Sequence, residues 1–189
     1  MRYLLLGGTF NPIHYGHLFL AEEVRTSLDY DIVLFIPTYL PVHKMIQPEI
    51  DHVHRLKMLK IAVKPYDRFK VETCEIDRKG ASYSIDSVRL LSKKYAWKEK
   101  PGFIIGDDLL PNFHTWKEHR ELSRITDLIV VHRKYRKRQN FDLPHIYIDN
   151  IMIPISSSLI RERVMKGKTV RFLLPDEVLE YMEKNGLYR

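Results

Sequence analysis

A short apolar run near residue 3 ends in two glycines at residues 7 and 8, and this pattern limits the folds that the chain can adopt. Tyr3-Leu4-Leu5-Leu6 has the composition of a buried strand, and the segment Gly7 to His17 (GGTFNPIHYGH) follows it directly. A strand that stops at glycines and continues as a helix leaves backbone N–H groups unpaired at one concave point, where a phosphate can accept them. Three of the eight glycines in the chain fall within its first sixteen residues. The pattern therefore predicts a phosphate-binding turn.

Two histidines, His14 and His17, follow these glycines and lie three residues apart in the sequence. Two other interpretations remain open at this point. The segment could be an ordinary strand-to-helix turn with two surface histidines, or the His-x-x-His pair could bind a metal ion. Because no cysteine or carboxylate next to the pair completes a coordination set, we expect no metal bound by these imidazoles.

Composition places the chain among soluble globular proteins. Its 189 residues are 44% hydrophobic and 29% charged, and we expect one domain over residues 1–189. The first residues hold too few apolar side chains for a signal-peptide core or a membrane span, so we expect a cytoplasmic protein without membrane contact. The single cysteine, Cys74, excludes an internal disulfide. We interpret it as a passive structural thiol in a strand.

Positive charge is concentrated in one segment. The formal net charge is +7, which favours anionic partners without saying whether they are nucleotides, RNA or lipids. The densest basic run, residues 132–138, follows an apolar strand pattern and precedes a polar stretch. We therefore predict a solvated loop there, with Arg133, at the strand exit, able to reach a ligand.

Strand patterns alternate with helical periodicities along the chain. Strands are predicted over residues 2–7, 31–37, 69–76, 102–106 and 127–131, with a short edge strand over 145–148. Helices are predicted over residues 16–28, 51–63, 82–95 and 159–165, and from Pro175 to near Gly186. Nearly continuous apolar strands suit parallel strands that are buried on both faces. The predicted fold class is α/β, with a doubly wound, mostly parallel sheet in a single domain.

Polar groups follow three of the predicted strand or loop ends: Gly8 to His17, Gly106 to Asp108, and Ser156 to Arg163. In open parallel sheets, ligands bind beyond the carboxyl ends of the strands where the winding direction reverses. All three segments could therefore face one crevice. The third segment offers a helix N-terminus, hydroxyl groups and Arg161 for phosphate oxygens. Taken alone, it favours a capped surface helix with ordinary arginines, and only its pairing with the histidine motif favours a phosphate site.

Two of these segments resemble the paired signatures of the HxGH nucleotidylyltransferases: His14-Tyr15-Gly16-His17, and Ile155 to Arg161 (ISSSLIR). Within that superfamily the chain is similar to the bacterial nicotinate-nucleotide adenylyltransferases over nearly its whole length. The narrower resemblance rests on four further motifs: Pro37-x-x-x-Pro41-x-His43-Lys44, Ser82-Tyr83-Ser84-x-Asp86, Phe103 to Asp108 with Trp116 eight residues later, and Asn185-Gly186-Leu187-Tyr188. The resemblance implies a Rossmann-like fold and transfer of the adenylyl group of ATP to nicotinate mononucleotide, giving deamido-NAD and pyrophosphate.

The chain departs from this family at four positions. The family commonly has Asp where this chain has Asn11, Thr where it has Ser84 and Ser158, and Ala where it has Asp107. The serines keep a hydroxyl group. A carboxylate at Asp107 would repel the phosphates of a nucleotide unless it points away from them or helps to hold a cation.

The resemblance also implies roles for individual residues. His14 and His17 would donate hydrogen bonds to the ATP phosphates, with His17 nearest the reacting phosphorus, and bound triphosphate would favour protonated imidazoles. The implied catalytic residues are His14, His17, Lys44 and Arg161. The implied ATP-binding residues are Gly8, Thr9, Phe10, His14, Gly16, His17, Gly106, Asp108, Ser156, Ser157, Ser158 and Arg161. The implied substrate-binding residues are Thr9, Lys44, Ser84, Asp108, Trp116, Lys117 and Arg133.

Trp116 would stack on the pyridine ring, although it could instead be a core residue of the following helix. We expect Mg²⁺ carried mainly by ATP, because magnesium keeps several waters and needs few protein ligands. The expected partners are ATP and nicotinate mononucleotide, with no stable nucleic-acid complex; a homo-oligomer remains open. One competing hypothesis is another HxGH nucleotidylyltransferase, acting on nicotinamide mononucleotide or phosphopantetheine or using CTP. The other is a non-catalytic, basic nucleotide- or RNA-binding module.

Overall fold

The apolar runs of the sequence form a central sheet of six parallel strands, in the order β4-β2-β1-β6-β7-β8. A computed structural model describes residues 1–41, 50–135 and 137–189. The six strands are β1 (Tyr3–Gly8), β2 (Ile32–Pro37), β4 (Phe69–Val71), β6 (Gly102–Gly106), β7 (Asp127–Val131) and β8 (Ile146–Ile148). The short strands β3 (Leu40–Pro41) and β5 (Ala81–Ser82) form a separate parallel pair.

Seven α-helices accompany the described strands: α1 (Tyr15–Ser27), α2 (His52–Val63), α3 (Cys74–Arg78), α4 (Ser84–Tyr95), α5 (His119–Ile125), α6 (Ser157–Met165) and α7 (Asp176–Lys184). A 3₁₀ helix spans Asp107–Thr115. Asp51 caps α2, as predicted, because its carboxylate accepts the Val53 N–H at 3.0 Å. In the described part of the chain, no helix has the length and apolar character that a membrane crossing requires.

The winding of the sheet reverses at β1, a central strand that has β2 on one side and β6 on the other. β2 and β4 lie on one side of β1, and β6, β7 and β8 lie on the other. Loops that follow β1 and β6 therefore meet at the topological switch point, where open α/β sheets bind their ligands. This arrangement confirms the predicted α/β class and the doubly wound, parallel sheet.

Side chains alternate between the two faces of the sheet, and each face is covered by helices. Leu4 and Leu6 of β1 belong to the core cluster that includes residues of α1, α2, α6 and α7. Leu5 belongs to the cluster on the opposite face, with residues of α3, α4 and α5. Burial on both faces explains why β2 reads as an unbroken apolar run in the sequence.

The predicted strand over residues 69–76 is wrong in its second half. Within this segment only Phe69–Val71, strand β4, pairs with β2, and the chain then turns into α3 at Cys74. Cys74 is buried in this helix, and its burial together with the neighbouring Glu75 raises the pKa of the thiol to about 11. The thiol is therefore protonated at neutral pH, which agrees with a passive structural role.

Candidate active site

In the loop between β1 and α1, the side chain of Phe10 is buried beneath the backbone. Phe10 has a φ of 46° and its side chain is 1% exposed. A Cβ at Gly8 would lie 3.1 Å from the Phe10 ring, so glycine at this position allows the ring to pass beneath the strand end. Gly8 and Phe10 can therefore offer a ligand only their backbone groups.

His14 and His17 form a stacked pair at the start of α1, with ring centroids 3.7 Å apart. His14 is the N-cap residue and is 5% exposed. Burial, followed by the charge of Arg133, lowers the pKa of His14 to about 3. In the free protein His14 is thus a neutral imidazole at pH 7, whereas the sequence suggested protonated histidines under bound triphosphate.

Steric crowding explains why the histidine motif has a glycine at position 16. A Cβ at this position would lie 3.0 Å from Nδ1 of His14 and 3.5 Å from the carbonyl oxygen of Ile155. The absence of a side chain lets the first turn of α1 lie close to both the His14 ring and the segment that enters α6. The motif residue therefore permits the packing of two loops and not only a turn.

Two side chains of helix α6 donate hydrogen bonds to the loop between β1 and α1. The Ser157 hydroxyl donates to the Pro12 carbonyl at 2.8 Å, and the Arg161 guanidinium donates to the Asn11 carbonyl at 2.8 Å. Arg161 also donates to the Ser158 hydroxyl at 3.2 Å, while Ser156 caps the helix by accepting the Leu159 N–H. The cap predicted by the alternative interpretation, a capped surface helix, is therefore present at the N-terminus of α6. Its contacts nevertheless bring the two sequence motifs together.

The carboxyl end of β6 places two neighbouring acids in different surroundings. Asp108 lies beside the crevice, and its Oδ1 is 3.7 Å from Nη1 of Arg133. Asp107 is 0% exposed, and its carboxylate accepts backbone N–H groups from Arg133, Lys134 and Tyr135 at 2.9 to 3.1 Å. Asp107 therefore points away from the crevice, which removes the expected repulsion of nucleotide phosphates.

The basic run after β7 forms a loop, as predicted, over its described residues 132–135 and 137–138. His132 is buried, and the side chain of Asn150 bonds both its backbone N–H and its carbonyl. Arg138 pairs with Asp149 at 2.8 Å. Arg133 extends toward Gly106, where an added Cβ would collide with it and with Asp108.

A second cluster lies where α4 begins. Lys117 places its ammonium 3.0 Å from the Asp86 carboxylate and 5.0 Å from the centre of the Tyr83 ring. Ser84 is the first residue of α4. Trp116 is half-buried and packs against Phe113, with ring centroids 5.0 Å apart. Trp116 is thus partly a core residue, and it remains partly accessible to solvent.

Arg55 is a functional candidate that sequence reasoning missed. It is 1% exposed, and its guanidinium donates to the carbonyl oxygens of Thr9 at 2.8 Å and Tyr39 at 3.2 Å. Burial lowers its pKa. The signal was present in α2, because Arg55 shares the helix face of Met58 and Leu59, three and four residues further on. Its buried guanidinium holds the loop between β1 and α1 by the hydrogen bond to Thr9.

Tyr188 and Asn11 form a buried contact between distant parts of the chain. The Tyr188 hydroxyl donates to Oδ1 of Asn11 at 2.5 Å. Both residues are buried, and Nδ2 of Asn11 has no hydrogen-bond partner among the described residues. The motif Asn185-Gly186-Leu187-Tyr188 thus has a structural role, which its sequence alone does not indicate. The departure at Asn11 thus keeps an acceptor for this hydroxyl.

Lys44, assigned to catalysis and substrate binding by resemblance, lies outside the described residues, as does His43. Within residues 1–41, 50–135 and 137–189, no group of three or more His, Cys, Asp or Glu side chains could hold a metal ion. Of the candidate residues that are described, the structure brings together those of the β1–α1 loop and α6. It places Asp108 and Arg133 just beyond the carboxyl ends of the neighbouring strands β6 and β7.

The sheet and the site together define a nucleotide-binding α/β protein, because imidazoles, arginines and a helix N-terminus converge at the switch point. The family model described as Cytidylyltransferase-like matches residues 5–163. The chain is 44% identical to a protein of Borrelia garinii subsp. bavariensis named "Probable nicotinate-nucleotide adenylyltransferase", over 100% of this chain and 95% of that one. It is 39% identical to the protein of the same name from Streptococcus pneumoniae serotype 4, over 97% and 87% of the two chains.

The fold is also found among solved structures. The Plasmodium falciparum nicotinic acid mononucleotide adenylyltransferase complexed with NaAD matches with a TM-score of 0.76 and 18% identity, over 99% of this chain and 97% of that one. The structure of the Plasmodium falciparum protein complexed with APC matches with a TM-score of 0.77 and 17% identity, over 99% and 96% of the two chains. The chain belongs to the nicotinate-nucleotide adenylyltransferase family, within the cytidylyltransferase-like proteins.

Proposed function

We propose that this protein transfers the adenylyl group of ATP to nicotinate mononucleotide and releases pyrophosphate. The observation that carries the proposal is the direct bonding of Ser157 and Arg161 to the loop that holds His14 and His17. This contact unites the two motifs that the resemblance requires in one phosphate site. The chain is 44% identical over its whole length to a relative named "Probable nicotinate-nucleotide adenylyltransferase", which supports ATP and nicotinate mononucleotide as the two substrates.

The chemistry explains why the site contains cations and imidazoles and lacks a strong base. An oxygen of the mononucleotide 5′-phosphate attacks the α-phosphorus of ATP. The bond from that phosphorus to the oxygen bridging the β-phosphate breaks, and pyrophosphate leaves with the electron pair. The attacking oxygen is already anionic at neutral pH. Catalysis therefore depends on alignment and on neutralising the charge of the transferring and leaving groups.

The described residues divide between the two ends of ATP. The neutral His14 has one ring N–H to donate, and His17, stacked on it, would lie nearest the α-phosphorus. Arg161 and the serines at the start of α6 would hold the β- and γ-phosphates, since a helix N-terminus favours anions. The backbone of Gly8, Thr9 and Phe10 would complete the cradle, together with that of Gly16 and Gly106. Lys44 would act over the phosphates.

The cluster at the start of α4 suits the pyridine nucleotide. The exposed surface of Trp116 would stack on the pyridine ring, and Lys117 with the backbone near Ser84 would receive its carboxylate. Asp108 would contact the nucleotide sugar, Thr9 would contact the phosphate of the mononucleotide, and Arg133 would reach the same substrate. Because the Lys117 ammonium already pairs with Asp86 at 3.0 Å, backbone N–H groups near Ser84 and Lys117 would bind the carboxylate and so favour the acid over the amide form of the substrate.

Magnesium would enter as the MgATP complex. The Asp107 carboxylate is occupied by three backbone N–H groups, and Asp108 faces Arg133. Neither acid is therefore a free ligand for a cation in this arrangement. The ion would keep its water ligands and be held by the triphosphate.

The test is an assay of the purified protein with ATP and nicotinate mononucleotide, following pyrophosphate release. His17→Ala should lower turnover by about two orders of magnitude or more, because it removes a donor that stabilises developing charge. His145→Ala is the matched control, since His145 is exposed at the start of the edge strand region and should leave turnover unchanged. Unchanged turnover in folded His17→Ala would refute the role of His17.

The competing hypotheses give different results in the same assay. Faster release with nicotinamide mononucleotide, with phosphopantetheine or with CTP in place of ATP would identify another nucleotidylyltransferase. Absence of pyrophosphate release, combined with RNA binding that weakens steeply with salt, would favour a basic binding module.

A further inference from the structure

We propose that Asp107 is a positioning residue that holds the loop after β7 so that Arg133 reaches the substrate. This inference rests on the proposed function, in which Arg133 contacts nicotinate mononucleotide. Asp107 itself touches no substrate, because its side chain is fully buried on the far side of the loop. It would act through the backbone that it binds, and its Oδ2 also lies 3.4 Å from Nδ1 of the buried His132.

The carboxylate of Asp107 satisfies three consecutive backbone donors. Oδ1 accepts the N–H groups of Arg133 at 3.0 Å and Lys134 at 2.9 Å, and Oδ2 accepts that of Tyr135 at 3.1 Å. Successive N–H groups that point at one anion form a compact binding concavity. The three hydrogen bonds are charge-assisted and therefore stronger than bonds between neutral groups. The carboxylate thus determines the path of the loop.

The side chain of Arg133 leaves this loop on the side of the crevice. Its Nη1 is 3.7 Å from Oδ1 of Asp108, and its Cγ and Cδ atoms occupy the space that a Cβ at Gly106 would need. Its charge also contributes to the lowered pKa of His14. Arg133 therefore lies beside the sugar-binding candidate Asp108, and its charge acts on His14.

Only Asp107 anchors the Arg133 end of the loop by a side chain among the described residues. Asn150 binds the backbone of His132, one residue earlier, and does not bond to residues 133–135. An alanine at position 107 would have no acceptor for these donors. This chain therefore uses a buried carboxylate to order the loop.

The experiment compares four variants by steady-state kinetics and thermal unfolding: Asp107→Ala, Asp107→Asn, Arg133→Ala and the double variant Asp107→Ala/Arg133→Ala. Asp107→Ala should raise the KM for nicotinate mononucleotide by about tenfold, with less than about a threefold change in kcat, because uniform binding is lost. Asp107→Asn should raise it less, because its Oδ1 still accepts from Arg133 and Lys134 while its amide opposes the Tyr135 N–H.

The double variant separates positioning from general destabilisation. If Asp107 acts through Arg133, the double variant has the KM of Arg133→Ala alone, while the fall in Tm caused by Asp107→Ala persists. Thr126→Val is the matched control, because Thr126 is buried just before β7, at the opposite end of the same strand. It should lower Tm without changing KM. Multiplied KM effects, or a normal KM in Asp107→Ala, would overturn the proposal.

A crystal structure of Asp107→Ala keeps the inference separate from the proposed function. Displacement of residues 133–135 and loss of the contact between Arg133 and Asp108 are the expected results. An unchanged loop would refute the positioning role even if adenylyl transfer is confirmed. Failure of the wild-type protein to release pyrophosphate would refute the proposed function, while the loop structure would still decide the role of Asp107.

Discussion

Among the single residues of the site, His14 shows how packing selects a protonation state. Its ring is buried beneath His17 and near the cationic Arg133, and both surroundings disfavour a charged imidazole. A neutral imidazole still donates one hydrogen bond, so His14 can orient a phosphate oxygen without adding charge. Bound triphosphate would have to offset the desolvation of the ring before it could protonate His14.

The neutral state of His14 predicts a loss of stability in acid. Below pH 6.5 the unfolded chain binds a proton at His14 that the folded protein excludes until about pH 3. Within that range His14 should therefore lower the free energy of unfolding by about 1.4 kcal/mol per pH unit as the pH falls. Urea unfolding of the wild type and His14→Gln at pH 7, 5 and 4 measures the difference. Equal losses in the two proteins would contradict the assignment, as would an NMR titration of His14 near pH 6.5.

At the scale of secondary structure, strong periodicity made most elements predictable. β2 and α2 agree with their predicted ranges to within one residue. The segment 69–76 failed because its alternation of apolar and polar residues suits a strand and a short helix equally, and its pairing with β2 ends at Val71. Local spacing in the sequence was enough to name the two motif segments as candidates, and the roles of their residues stay predictions. The contacts of Arg55 and Asp107 were not predicted, because each joins residues far apart in the sequence.

The junction between the β1–α1 loop and α6 makes Gly16→Ala a test of close packing. An added Cβ would lie 3.0 Å from the His14 ring, so the imidazole must shift. Alanine is also the better helix former by about 1 kcal/mol. We therefore expect a free energy of unfolding close to that of the wild type and a turnover at least roughly tenfold lower, since misplacement of a reacting geometry is costly. Chemical denaturation and the pyrophosphate assay test both parts, and full activity would contradict the steric argument.

Across the whole molecule, the site depends on residues from both halves of the sequence. The loop after β1 is held by Arg55 of α2, by Arg161 of α6 and by Tyr188 beyond α7. These contacts reach the backbone of Thr9 and Asn11 or the Asn11 side chain. Arg55 and Tyr188 have no contact with substrate in the proposed mechanism, so they would support the site only by keeping this loop in place.

The contact of Tyr188 with Asn11 should matter for both stability and turnover. Tyr188→Phe removes one buried hydrogen bond and leaves Oδ1 of Asn11 unsatisfied, which should lower the free energy of unfolding by about 1–3 kcal/mol. Turnover should fall because the loop loses an anchor. Tyr181→Phe is the matched control, since the Tyr181 hydroxyl lies 2.9 Å from Nδ1 of His54, away from the loop. A fall in turnover of the same size in both variants would contradict a specific role for Tyr188.

The same contact also sets an order of events during synthesis. A ribosome makes Asn11 177 residues before Tyr188. A nascent chain that already contains the histidines, Arg161 and all six strands still lacks the partner of Asn11. The loop between β1 and α1 therefore gains this hydrogen bond only when Tyr188 is free to fold against it, after every other contact of the loop that is described above can already have formed.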